Sequence, residues 1–161
     1  MAMRAEGATV PAEAAYLLTW NPAKWPWRSL LAEITSLKKK GSLRETWGCG
    51  VNKSIAPGSR LYLMRLGRSP KGIMGSGWAT SRPYEARHWD EDKARRGVLA
   101  IQLDVELDQL AEKPILPLEL LAVFLPAFQW TPQSSGIRIP PPVAEPLCTL
   151  WAQVTASLTQ L

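Results

Sequence analysis

The longest regular pattern in the chain is VLAIQLDVELDQL, in which Leu99, Ile101, Leu103 and Val105 alternate with Ala100, Gln102, Asp104 and Glu106. Period two over such a length describes a strand with one buried and one wet face. A strand of this kind is not stable alone, so the rest of the chain has to supply a sheet and a layer to cover it. AYLLTW, from Ala15 to Trp20, reads as a short buried strand stopped by Asn21-Pro22. RLYLMRLG follows the Pro57-Gly58 turn as another strand, and KGIMGSGWATSRPYE as one thinned by Gly72, Gly75 and Gly77, which predicts a bulge or close backbone approach. GIRI adds a short strand near the C-terminus.

Helices are fewer. WRSLLAEITSLKKKG places Leu30, Leu31, Ile34 and Leu37 on one stripe and closes with lysines and Gly41. PILPLELLAVFL reads as a proline-started helix, HWDEDKARRG as a polar loop, and a last helix is expected from Val143. The 14 prolines are scattered as turns and mark no linker within the 161 residues. The expected organisation is a disordered tail over 1–13 and a single domain over 14–161, of α+β class, with a curled or barrel-like sheet flanked by helices.

Several chemistries fall away on composition. Cys49 and Cys148 are too few for a disulfide framework, and His88 is the single histidine, so neither a tetrahedral Cys/His zinc site nor a two-histidine nuclease centre is available. Asp90, Glu91 and Asp92 are followed directly by Lys93, Arg95 and Arg96, which neutralise them as a magnesium site. No phosphate-cradling glycine motif occurs. No catalytic residue, metal or cofactor is therefore expected. YLLTW is too short for a signal core or a membrane span, so the expected setting is cytoplasmic with no membrane partner.

Charge is distributed unevenly. Residues 24 to 71 hold eleven Lys/Arg against Glu33 and Glu45, a local charge of +9 within an overall +5. Gathered on one side of a fold, such a segment attracts phosphates and releases their counterions. The candidate phosphate contacts are Lys38, Lys39, Lys40, Arg44, Lys53, Arg65, Arg68 and Lys71.

Eight tryptophans accompany that charge. Trp78 and Trp151 read as core. Trp20, Trp25, Trp27, Trp47 and Trp130 sit at or beside turns, where rings either cap the core or stack on a base, a contact worth roughly 1 to 3 kcal/mol. Asn21, Asn52, Gln133, Ser134 and Ser135 lie beside them and carry the donors and acceptors that read a base edge, although the same residues are ordinary turn formers.

Four blocks in order, YLLTWNPAKWPW, TWGCGVNKSIAPGSRLYLMRLG, KGIMGSGWATSRPYEARHWD and FQWTPQSSGIRIPPPVAEPL, resemble the EVE domain of the PUA-like superfamily, in the form fused to HNH nucleases of modification-dependent restriction enzymes. The resemblance implies a curled PUA-like β-barrel flanked by helices, related to the YTH readers, that draws a modified base into an aromatic cage. It implies a pocket around Trp20, Trp47 and Trp130, with Asn21, Gln133, Ser134 and Ser135 reading the base edge. The implied partners are double-stranded DNA carrying 5-methylcytosine or a close derivative and, in the full-length protein, an HNH nuclease domain in cis; a homodimer is left open. With one histidine and no nuclease half in the sequence, the expected role is to bind without cutting. An RNA or tRNA modified-base reader, or a module with no nucleic-acid partner whose tryptophans are all core, are the alternatives.

Overall fold

The computed structural model describes residues 14–159, so the proposed tail over 1–13 lies outside the described residues. The elements run β1 (Ala15–Trp20), α1 (Leu30–Lys40), β2 (Leu43–Gly48), β3 (Arg60–Arg65), β4 (Gly72–Ala79), β5 (Tyr84–Arg87), α2 (Glu91–Arg95), β6 (Leu99–Leu110), β7 (Leu116–Pro117), α3 (Leu118–Phe124), β8 (Ile137–Ile139) and α4 (Pro141–Thr159). The α+β class with a curled sheet and flanking helices is what the sequence pattern predicts.

Three local readings need correction, and one strand, β2, has no counterpart among them. HWDEDKARRG is not a loop throughout: Asp90 accepts hydrogen bonds from the Asp92 and Lys93 amides and caps the one-turn helix α2. β2 has no clear counterpart in the alternation pattern, because LRETWG buries Trp47 alone. The last helix begins two residues before Val143, at Pro141, a residue suited to a first turn because it has no N–H to leave unpaired. Leu99, expected on the buried face of β6, is exposed, since the strand has left the core at that point.

The strands form one sheet in the order β2-β6-β4-β3-β1-β8, with β5 beside β6 and β7 beside β4. β1 and β3 are parallel; the remaining pairs are antiparallel. The pairing register shifts between Ser76 and Gly77 in β4, where a Cβ on Gly77 would strike the Glu106 carbonyl. Bulges of this kind increase local twist. The sheet curls without closing, and side chains bridge its two ends. Trp47 Nε1 donates to Thr19 O at 3.0 Å, Ser135 Oγ accepts from Thr19 N at 3.0 Å and donates to Gly48 O at 2.7 Å, and Asn52 Nδ2 donates to Gly136 O at 2.8 Å. Gly136 has φ +86° and lies so near Cys49 O that a side chain would prevent this approach.

Alternation along the strands separates two cores. Tyr16, Leu18 and Trp20 of β1, with Leu61, Leu63, Leu103 and Val105, fill the concave side, which Leu30 and Leu37 of α1 help to cover. Leu17, Tyr62, Met64 and Ile73 point to the convex side and pack against Leu121 of α3 and Val143, Leu147 and Trp151 of α4.

Candidate nucleic-acid interface

The turn after β1 folds Trp25 and Trp27 back onto Trp47 of β2, beside Trp20 at the end of β1. Trp27 lies 4.8 Å from Trp47 and 5.4 Å from Trp20 between ring centroids, and Trp25 closes over them at 5.5 Å from Trp47 and 6.0 Å from Trp27. Three of the four are buried and tie their indole N–H to the protein: Trp20 to Trp25 O, Trp27 to Glu33 Oε2 and Trp47 to Thr19 O. Trp25 is 36% exposed, and no hydrogen bond from its indole nitrogen is among those of the described residues. The structure thus places Trp27 between Trp20 and Trp47, with Trp25 over Trp27 and Trp47.

Trp130 is not part of this group. Its indole donates to Leu125 O at 2.9 Å, its ring packs on Phe128, and it belongs to the convex core. The chain reverses after it, so the following polar loop reaches the rim while Trp130 faces the other way. Trp78 departs from expectation in the opposite sense. It is 40% exposed, with the Arg60 guanidinium 4.3 Å from its ring centroid. Trp151 is core as expected, donating to Ser76 Oγ at 2.8 Å.

Of the edge-reading candidates, Ser135 and Asn52 are structural. The Ser135 hydroxyl is engaged by Thr19 and Gly48, while Asn52 donates to Gly136 O and accepts from Ser54 N. Asn21 Oδ1 accepts from Ala23 N in a local turn and lies against Gly67. Gln133 and Ser134 are exposed beside this group, with Ser134 next to Gly50. These contacts join the loops 21–29, 49–58, 66–71 and 131–136 into one rim around the tryptophans.

The cations divide. Arg65 pairs with Trp20 in the β1–β3 register and places its guanidinium 5.6 Å from the Trp20 ring centroid, with Nε buried and unpartnered. Arg68 and Lys71 lie in the loop that follows, and Lys53 stands exposed beside Asn52. Arg44 is exposed on β2. Lys38, Lys39 and Lys40 sit elsewhere: α1 starts against Trp27 and ends roughly 15 Å further along its axis at ~1.5 Å per residue.

Behind the ring cluster lies a carboxyl pair. Glu33 Oε2 accepts from Trp27 Nε1 at 2.9 Å and from Ser29 Oγ, while Oε1 is buried without a partner. Burial, reinforced by the neighbouring Glu33, pushes Glu45 up to about 7. Burial would also raise Glu33, but hydrogen bonds from Glu45, Ser29 and Trp27 outweigh it and hold Glu33 below the usual carboxylate value. Glu45 therefore keeps its proton to a higher pH than Glu33 does.

A groove of about 280 Å³ opens on the convex side, lined by Arg60, Trp78, Arg138 and Cys148 among others, away from the rim. His88 packs its ring 5.2 Å from Trp89, and its Nδ1 accepts from Asp90 N. Among the described residues no helix is long and apolar enough to cross a membrane.

No family model matches the sequence, and no curated protein does. Among solved structures the chain is similar to a protein from Pseudomonas syringae determined by a structural genomics consortium, at 18% identity over 85% of this chain and 99% of that one, with a TM-score of 0.55. It is also similar to the Mmi1 YTH domain, at 11% identity over 92% of this chain and 79% of that one, with a TM-score of 0.51. At these identities the shared property is the fold.

Proposed function

We propose that this chain is an EVE-type reader that binds duplex DNA and presents one modified cytosine, 5-methylcytosine in the first instance, to the rim around Trp25, without cutting the strand. In this reading residues 14–161 form one domain and serve an HNH nuclease as its specificity module. The observation that carries it is the tryptophan cluster itself. Three rings are anchored by hydrogen bonds, and the fourth is partly exposed and free of such an anchor, with the Arg65 guanidinium over the neighbouring Trp20 ring and with Arg68, Lys71 and Lys53 as candidate phosphate contacts in the loops 66–71 and 49–58.

A flipped base costs a few kcal/mol to unstack. Stacking on Trp25, or in the place Trp25 vacates against Trp27 and Trp47, returns roughly 1 to 3 kcal/mol, and phosphate contacts at the rim supply the rest. The methyl group of a modified cytosine adds about 0.8 kcal/mol when buried, close to a four-fold preference. Asn21, Gln133 and Ser134 remain to read the base edge. The test is competition among a duplex with one 5-methylcytosine, the unmodified duplex and a single-stranded RNA, repeated over a salt series. The reading expects the methylated duplex to win and affinity to fall steeply with salt; equal affinity for all three overturns the specificity, and salt-independent binding overturns nucleic acid as the partner.

A further inference from the structure

The segment from β5 through α2 to the start of β6 leaves the body of the fold as a two-stranded ribbon. Tyr84 pairs with Gln102 and Arg87 with Leu99, yet Leu99 is 52% exposed and α2 buries no residue. Apart from Ile101, which packs against the concave core at its base, the ribbon has no layer behind it, but it is well fixed. The Tyr84 hydroxyl bonds Asp104 Oδ1 at 2.5 Å and receives Gln102 Nε2 at 3.1 Å, and Asp90 caps α2. Ordering an exposed element in the free protein lowers the cost of using it in binding.

Its position and chemistry indicate the partner. Cys49 N donates to Ile101 O at 3.0 Å, so the ribbon rises directly from the rim that carries Trp47 and the 49–58 loop. Beyond Gln102 its strands extend about 10 Å at ~3.3 Å per residue. Along it Arg87 is paired with Glu91, and Arg95 with Asp92, and the Asp90 carboxylate is turned onto the α2 amides. Lys93 and Arg96 are exposed with no acidic partner among the described ion pairs, and Trp89 is 51% exposed beside His88. A rigid two-stranded ribbon with an exposed indole and two cations that lack a carboxylate partner, Arg96 Nε donating only to the Asp92 carbonyl at 3.4 Å, matches a B-form major groove, which is ~12 Å wide and accepts such a ribbon.

We propose that the β5–α2–β6 ribbon is a second nucleic-acid contact, entering the groove of the duplex beside the base presented at the rim, with Trp89, Lys93 and Arg96 touching the DNA. This rests on the nucleic-acid reading above. The experiment compares wild type with a Trp89→Ala/Lys93→Gln/Arg96→Gln variant, and with Lys93→Gln/Arg96→Gln alone, on methylated and unmodified duplexes over a salt series. All three side chains are exposed or carry no core contact, and unchanged far-ultraviolet circular dichroism confirms the fold. The triple variant is expected to bind both duplexes at least ten-fold more weakly with the methylated-to-unmodified ratio preserved. Both variants are expected to lower the salt slope by about 2, from two lost phosphate contacts. If wild type binds and the variants match it in affinity and slope, the ribbon is no contact while the reader stands. A collapse of the ratio with affinity makes the ribbon part of the base site and overturns it as a separate contact. If wild type binds neither duplex, both proposals fall.

Discussion

The two faces of the sheet use the same residue in different ways. On the convex side Trp130 and Trp151 are sealed under α3 and α4, each with its indole N–H satisfied inside the core. On the concave side Trp20, Trp27 and Trp47 are equally buried, but they end at a rim where Trp25 faces solvent. Composition alone does not separate these sets. What separates them is whether a helix packs over the ring, as α3 and α4 do on the convex side, or the ring ends among loops, as Trp25 does.

The largest effects expected from this contrast are on stability. Replacing Trp151 by Ala removes a fully packed ring, its edge contact with Tyr62 and its bond to Ser76, and should cost about 3 to 5 kcal/mol in denaturant unfolding. Trp130→Ala should behave alike, and the fraction that remains folded should keep its duplex preference. Trp25→Ala should do the reverse. Unfolding should shift by less than for the sealed rings, about 1 to 2 kcal/mol, because the ring is part-exposed and its N–H is unanchored, while duplex affinity falls roughly ten-fold, as expected for a lost base stack. A large stability loss at Trp25 would erase the distinction between the two sets.

A smaller effect separates the regions by pH. Glu45 titrates higher in the folded state than in the unfolded chain, so the unfolded chain releases its proton first as pH rises. The stability Glu45 contributes is therefore intact below about pH 4.5 and declines until the folded value near 7 is passed. Glu33, shifted down, acts oppositely at the acid end, where its contribution is lost as pH falls. Melting temperature should drop between pH 5 and 8, and Glu45→Gln, which keeps a donor toward Glu33, should flatten that drop. The smallest expected effect is in thiol reactivity. Cys49 is buried, which pushes it up to about 11, whereas Cys148 is exposed, so a thiol reagent should label one site per folded molecule and Cys148→Ser should abolish the labelling.

Much of the architecture was legible because the apolar period changes sharply between segments. The alternation ending in Leu103 and Val105 gave β6, the Leu30 and Leu37 spacing gave α1, and Gly77 marked a true bulge. β2 escaped because it is an edge strand that buries only Trp47, so its sequence carries no apolar alternation. The site was legible in part. Trp20 and Trp47 both touch Trp27, and which tryptophans join them depends on how the 21–29 turn folds back, which no local pattern records. Ser135 and Asn52 have the chemistry of base readers and are instead occupied in joining the ends of the sheet. Trp78 reads as core from its place in a strand, but its ring is part-exposed and carries the Arg60 guanidinium on one face.

The central claim is that Trp25 is the ring at which a modified base is read. Its most direct test is equilibrium binding of wild type and Trp25→Ala to two duplexes differing by one cytosine methyl group, at one fixed salt concentration. The account predicts a several-fold preference for the methylated duplex in wild type, and loss of both that preference and about ten-fold of affinity in Trp25→Ala. Equal affinity of wild type for the two duplexes, or an unchanged preference in Trp25→Ala, would contradict it.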